Sequence, residues 1–294
     1  MDKKIFYSKI LLFGEYGIMS NSDALSIPLR EFYGSLKISK SLSKVEDLSN
    51  QKLNELHNYI DKSQSLANII NFNSFKNEID SGLYFNSNIP IASGLGSSGA
   101  LVSSILNRYS KTDLSLMNNQ EIKNIMSIIE SKFHGKSSGF DPLVSFFNKP
   151  IMLNNGSIKL LDDLKFKDFK IFLIDSKISS STSDMIALFN QKKKDEVFYN
   201  TFNKSFISLT NQCIYNLLNN SNNFKESINN LSENTFKNMK EMIPDSMKEI
   251  WKIGLKSNDY YMKLCGSGGG GFFLVFDFKN KLKDKLGAFK LIKI

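Results

Sequence analysis

Cysteine is nearly absent: Cys213 and Cys265 are the only two in 294 residues. Two cysteines make no disulfide framework, which excludes the small stapled secreted folds, and the chain reads as cytoplasmic. Arginine is equally scarce, at Arg30 and Arg108 alone, although the formal net charge is +9. Lysine carries that charge, and apart from Lys192–Lys194 it is scattered. Arginine is the residue that makes bidentate contacts to phosphate and guanine. The charge therefore reads as a solvated surface, and no nucleic-acid partner is expected. No apolar run reaches the roughly 18 residues of a membrane span, so no membrane partner is expected either. The first residues, "MDKKIFYSKILLFGEYG", have a basic start and a short apolar run. Glu15 follows and no small-residue cleavage site does, which argues against a secretory signal.

What is present is a globular composition. Hydrophobic residues make up 41% of the chain, enough for a proper core. The length fits one large domain or two medium ones, and a composition shift near Asp162–Asp168 places a boundary between residues 1–165 and 166–294. Strands are predicted over Phe6–Phe13 and from Leu83, with two short strands around Pro28 and Gly34 in Ala24–Ile38. Leu53, Leu56, Tyr59 and Ile60 recur at helical spacing. Helices are predicted over Gly99–Tyr109, which is apolar nearly all round and so buried, and over Gln120–Phe133. Asp141–Phe147 continues as helix or turn, and Pro150–Leu161 reads as a hairpin about "NNGS". Lys170–Ile174 is a buried strand, followed by a polar loop through Asp184. Residues from Met185 to about Leu255 are mostly helical, with breaks near Asn219–Asn223 and Pro244. Tyr260–Leu264 and Phe272–Phe276 are strands, Lys279–Leu286 a closing helix, and Phe289–Ile294 a last strand. The fold class is α+β.

Glycine is sparse outside two places. One is "IPIASGLGSSGALVSSIL", from Ile89. In the other, "LCGSGGGGFFLVF" from Leu264, Ser267 is the only residue between Gly266 and Gly271 that is not glycine. The first reads as a loop running into a helix. Helix N-termini present unpaired N–H groups and a positive dipole end, so they hold phosphate readily. Gly94 and Gly96 let the backbone come close to the anion. Ser97 and Ser98 can cap the helix, donate to phosphate or ligate Mg²⁺. An ordinary helix cap is the plainer reading of the two serines alone. No lysine stands where a Walker A motif needs one, and the dinucleotide fingerprint is absent.

Pro90-x-x-x-Gly-Leu-Gly-Ser-Ser closely resembles the phosphate loop of the GHMP kinase family. "KILLFGEYG", from Lys9, resembles the family's first motif, and "KLCGSGGGGFFLVF", from Lys263, its third. "ESKFHGKSSGFDPLVSFF", from Glu130, is similar to a stretch of the mevalonate-kinase branch, E-x-x-x-H-G-x-P-S-G-x-D, and "LIDSKISSSTSDMIALF" to one near its acceptor. The chain departs from the pattern at Tyr16, where the family has His, at Ser137, where it has Pro, and in lacking an arginine between Lys177 and Thr182. The resemblance implies two domains, the first like the second domain of ribosomal protein S5 and the second ferredoxin-like.

It also implies an ATP- and Mg²⁺-dependent kinase acting on a small alcohol, mevalonate or a relative, on the route to isoprenoids. Asp141 would be the base, and Lys9 would pair with it and help stabilise the transferring phosphoryl. Ser87 and the backbone at Ala92, Ser93, Gly94, Leu95, Gly96, Ser97 and Ser98 would line the nucleotide. Ser98 and Glu130 would supply oxygen ligands to Mg²⁺. Glu15, Tyr16, His134, Lys177, Thr182 and the loop at Gly266, Ser267, Gly268 and Gly269 would face the acceptor. His134 lies four residues after Glu130, so the two share a helix face; zinc is rejected because no third ligand pattern appears. A homodimer is one assembly the resemblance allows. Phosphomevalonate is the rival acceptor, and a non-catalytic sensor on the same fold the rival class.

Overall fold

The computed structural model describes residues 4–20, 22–90, 93–282, 286–287 and 289–294, without the side chain of residue 134. The chain divides into two compact units. Unit 1 is Met1–Lys9, Pro28–Ile91 and Leu95–Lys149; unit 2 is Ile10–Ile27, Ala92–Gly94 and Pro150–Ile294. The strands β1, Phe6–Phe13, and β2, Ala24–Ile38, therefore each contribute residues to both.

In unit 1, the later half of β2 pairs antiparallel with β3, Leu83–Ser87. The two short strands expected around Pro28 and Gly34 are one continuous strand. Pro28 falls between the stretch of β2 paired with β3 and the stretch paired with β4, so it interrupts neither of these ladders. Gly34 makes no turn: a Cβ there would lie 2.1 Å from the Phe85 ring on the neighbouring strand. Helix α1, Lys44–Ile60, opens on a Ser43–Glu46 capping box and buries Leu53, Leu56, His57 and Ile60, while Tyr59 points outward. Helix α2 is Phe72–Asp80, and the buried helix α3 is Ser97–Tyr109. One of the two arginines is spent here: Arg108 makes a bidentate pair with Glu78 at 2.6 and 2.9 Å, which also accepts from the Tyr109 hydroxyl. Helix α4, Asn119–His134, begins at an Asn118–Glu121 capping box, and α5, Phe140–Phe147, follows a left-handed Gly139.

In unit 2, Ala24–Ser26 of β2 pairs with β4, Ile151–Asn154, which forms a hairpin with β5, Ser157–Leu160, over Asn155 and Gly156, both at positive φ. A second sheet holds β6, Lys170–Asp175, β7, Tyr260–Leu264, β8, Phe272–Asp277, and β9, Leu291–Lys293. Its order is β7-β8-β6-β9, antiparallel throughout, which is the ferredoxin-like arrangement. Between β6 and β7 run α6, Thr182–Lys192, α7, Glu196–Thr201, α8, Ile207–Leu218, α9, Phe224–Asn238, and α10, Asp245–Ser257. Helix α6 starts inside the expected polar loop because the Ser181 hydroxyl accepts from the Asp184 N–H. A π-turn over Phe202–Phe206 joins α7 to α8 and buries both phenylalanines. The helix expected over residues 279–286 lies partly outside the described residues. The core includes Phe13 against Phe276 and Phe224, and Trp251, whose indole donates to Ser232. Among the described residues, no helix is long and apolar enough to cross a membrane.

Candidate active site

Unit 1 gathers four side chains of the sequence reading. The Lys9 ammonium lies 2.7 Å from the Asp141 carboxylate; the lysine side chain is 5% exposed and the aspartate 38%, so only the carboxylate reaches solvent. β1 places Lys9, whose backbone N–H donates to the Leu95 carbonyl at 3.0 Å. This ties β1 to the first glycine loop. Gly96, at φ 77°, caps α3, and a Cβ there would stand 2.8 Å from the Lys9 Cγ. Ser97 and Ser98 are thus the first residues of α3 and not its cap. A cap without a side chain leaves the helix end open to an anion. Gly99 does a second job, since a Cβ there would lie 3.0 Å from the Pro142 nitrogen. Its absence brings α3 against the start of α5, where Asp141 sits, and Ser103 donates to the Pro142 carbonyl at 2.7 Å.

Glu130 is buried on α4. The Ser98 hydroxyl donates to one carboxylate oxygen at 3.0 Å and the Ser137 hydroxyl to the other. Burial, reinforced by the charge of Asp141, pushes the Glu130 carboxyl up to about 7 against the opposing pull of the two hydroxyls and Lys9. Among the described residues no cluster of three or more His, Cys, Asp or Glu side chains could hold a metal ion. Mg²⁺ needs no such cage, because it keeps several waters and takes one or two protein oxygens beside substrate phosphates. The Ser98–Glu130 pair fits that requirement.

Unit 2 gathers a second set. Glu15, just past β1, forms a buried ion pair with Lys263 of β7, whose ammonium also donates to the Leu264 carbonyl at 2.8 Å and lies 5.6 Å from the Phe13 ring centroid. Tyr16 takes a left-handed φ of 56°. Its ring stacks on Phe189 of α6 at 4.3 Å, and its hydroxyl donates to the Ser267 carbonyl at 2.5 Å. Burial, then the Glu15 charge, pushes the phenol far above its ordinary range. The second glycine loop is pinned at Gly269, which donates to Met242, and at Gly271, which donates to Ile178. The first loop touches it here: a Cβ on Gly94 would stand 3.0 Å from the Cys265 carbonyl, and one on Gly271 3.3 Å from the Ser93 carbonyl.

The remaining predicted residues are less gathered. Ser87 ends β3, its hydroxyl accepting from the Ile89 N–H at 3.1 Å. Lys177 is 69% exposed and pairs with Asp175 at 2.8 Å. Thr182 is an exposed first residue of α6. Ala92 and the side chain of His134 lie outside the described residues. Two residues of these clusters had no role in the sequence reading. Ser137 stood out only as a departure from a motif, and Lys263 only as a motif's first letter. No local signal marks either, since each acts through a partner distant in the chain or in another element.

Residues 58–149 match the family model for the GHMP kinases N terminal domain. Over 203 residues the chain is 25% identical to the mevalonate kinase of Thermococcus onnurineus (strain NA1), covering 62% of this chain and 59% of that protein. The chain spans about three fifths of the length of the curated relatives it matches. Among solved structures it is similar to L. major mevalonate kinase in complex with R-mevalonate, with TM-score 0.68, 16% identity, and 100% of this chain and 95% of that one covered. It is also similar to Streptococcus pneumoniae phosphomevalonate kinase in complex with phosphomevalonate and AMPPNP, with TM-score 0.66, 12% identity and 100% of both chains covered. The α+β, two-sheet fold matches these structures over its full length.

Proposed function

We propose that this chain is a kinase of the GHMP type, ATP-dependent, whose acceptor is the primary hydroxyl of mevalonate; the match of residues 58–149 to the GHMP kinases N terminal domain supports the reading. The observation that carries the reading is the Lys9–Asp141 pair at 2.7 Å, set in the unit that also holds the Ser98–Glu130 pair. Phosphoryl transfer asks mainly for positioning and charge neutralisation. Asp141 accepts the proton of the attacking hydroxyl, and its partial exposure gives the acceptor access to it. Lys9 orients that carboxylate and offers positive charge to the transferring phosphoryl group. The backbone from Ser93 to Ser98 cradles the phosphates at the start of α3. Ser98 and Glu130 hold Mg²⁺, which when bound neutralises charge on the phosphate oxygens. In unit 2, Glu15, Tyr16 and the second glycine loop serve the acceptor.

The test is an ADP-release assay with ATP and Mg²⁺ over mevalonate, phosphomevalonate, galactose and homoserine, with Asp141→Asn alongside. The expected result is turnover on mevalonate alone, reduced at least a hundredfold in the variant. Turnover on another acceptor retains the kinase and overturns the mevalonate assignment. ATP binding without turnover on any of the four favours an acceptor outside the panel or a sensor.

A further inference from the structure

We propose that Ser137 is a positioning residue that fixes the Glu130 carboxylate for its cation, an inference that rests on the metal–nucleotide role given to Ser98 and Glu130 above. The geometry leaves the Ser137 hydroxyl little choice. Its oxygen accepts from the Gly139 N–H at 3.0 Å, and its single proton is directed at the Glu130 oxygen that Ser98 does not bind. Each carboxylate oxygen therefore has its own hydroxyl, one from α3 and one from the loop between α4 and α5. The carboxylate plane is fixed from both sides.

Ser137 is itself held. Its N–H donates to the Ser131 hydroxyl at 3.3 Å, and its carbonyl accepts from the Ser127 hydroxyl at 2.6 Å. Ser127 and Ser131 sit one turn apart on α4, on either side of Glu130, so the helix that carries the carboxylate also anchors the residue that orients it. Two residues beyond Ser137, the left-handed Gly139 opens α5, and Asp141 lies in its first turn. One hydroxyl thus ties the cation-side carboxylate to the segment bearing the proposed base. This device belongs to the serine: a proline there would have neither the hydroxyl nor the N–H that Ser131 receives.

Partners that orient a metal ligand typically change metal affinity by about 10- to 100-fold when lost. The experiment is an EPR titration of Mn²⁺ into the full chain with a non-hydrolysable ATP analogue, for wild type, Ser137→Ala and Ser137→Thr, with the Mg²⁺ dependence of turnover and the thermal midpoint measured in parallel. Ser137→Ala is expected to weaken nucleotide-dependent Mn²⁺ binding about tenfold or more and to raise the Mg²⁺ requirement by a like factor. The KM for the acceptor stays unchanged, and Ser137→Thr, which keeps the hydroxyl, restores binding. Equal Mn²⁺ affinity in wild type and Ser137→Ala overturns the inference and leaves the kinase reading standing. A Ser137→Ala defect that Ser137→Thr does not restore, or that tracks only the thermal midpoint, makes the residue structural and also overturns it. No nucleotide-dependent Mn²⁺ binding by wild type overturns the metal–nucleotide reading and this inference with it.

Discussion

At Gly96 a single hydrogen in place of a methyl group decides where Lys9 lies. The left-handed φ of 77° strains any other residue by about 1–2 kcal/mol, and a Cβ would meet the Lys9 stem at 2.8 Å. Gly96→Ala is therefore expected to lower the melting temperature by a few degrees and turnover by more than tenfold, because the displaced ammonium leaves Asp141. Calorimetry and steady-state kinetics on the same preparation separate the two effects. Unchanged turnover would show that the glycine serves the backbone alone. Glu130 gives a second test at this scale. Its folded carboxyl titrates above its ordinary value of 4.5, at about 7, so the native state holds the proton more tightly than the unfolded chain does. The native carboxyl keeps its proton up to about 7 while the unfolded chain loses it near 4.5, so this contribution to stability is whole below about 4.5 and falls as pH rises through about 7, by on the order of 3 kcal/mol without divalent cations. Glu130→Gln should flatten that slope, read as urea midpoints at pH 5 and pH 8. A slope identical in wild type and variant would assign it to other groups.

At the scale of elements, the chain's apolar runs told most of the story and its punctuation misled. The strands β6, β7 and β8 are buried along nearly their whole length and stand out as continuous hydrophobic stretches. From sequence β2 reads as two strands, because proline and glycine usually end strands. Here the proline falls between two ladders, and the glycine makes room for an aromatic ring on a strand some fifty residues away. That reason is tertiary and has no trace in the local pattern. The site divides in the same way. Lys9, Ser98, Glu130 and Asp141 could be singled out because motifs mark them, whereas spacing alone left each a solvated charge or a helix cap. The Ser137–Glu130 and Lys263–Glu15 pairs exist only once helices and strands have assembled. The second pair yields a prediction for β7. Lys263→Met leaves Glu15 buried without its counter-charge, at a cost of about 3–5 kcal/mol. Adding Glu15→Leu should recover most of it, because an apolar pair of similar size carries no desolvation penalty. Chemical denaturation of the two variants measures the difference, and a double variant no more stable than the single one would show that the pair is worth more than its packing.

For the whole molecule, the decisive feature is that neither unit is one stretch of chain. Unit 2 takes residues 10–27 and 92–94 from the first half, and with them Phe13 against Phe276 and the ladder from Ala24 to Ser26. A fragment of residues 166–294 retains the four strands of the second sheet but loses the Phe13 partner of Phe276, and with it the whole of β4 and β5 and their ladder to β2. It is expected to keep helical circular dichroism while melting without a cooperative transition. A sharp two-state melt would mean that the borrowed segments add little to this unit.

The Glu15–Lys263 pair also sets a timetable. The two residues are 248 positions apart, and a ribosome adding about 5–20 residues per second needs roughly ten to fifty seconds to get from one to the other. Through that interval the nascent N-terminal strand carries a carboxylate destined for the interior while Lys263 is still to be made. Unit 2 therefore cannot complete its buried ion pair until residue 263 has been made, however early its first apolar strand emerges.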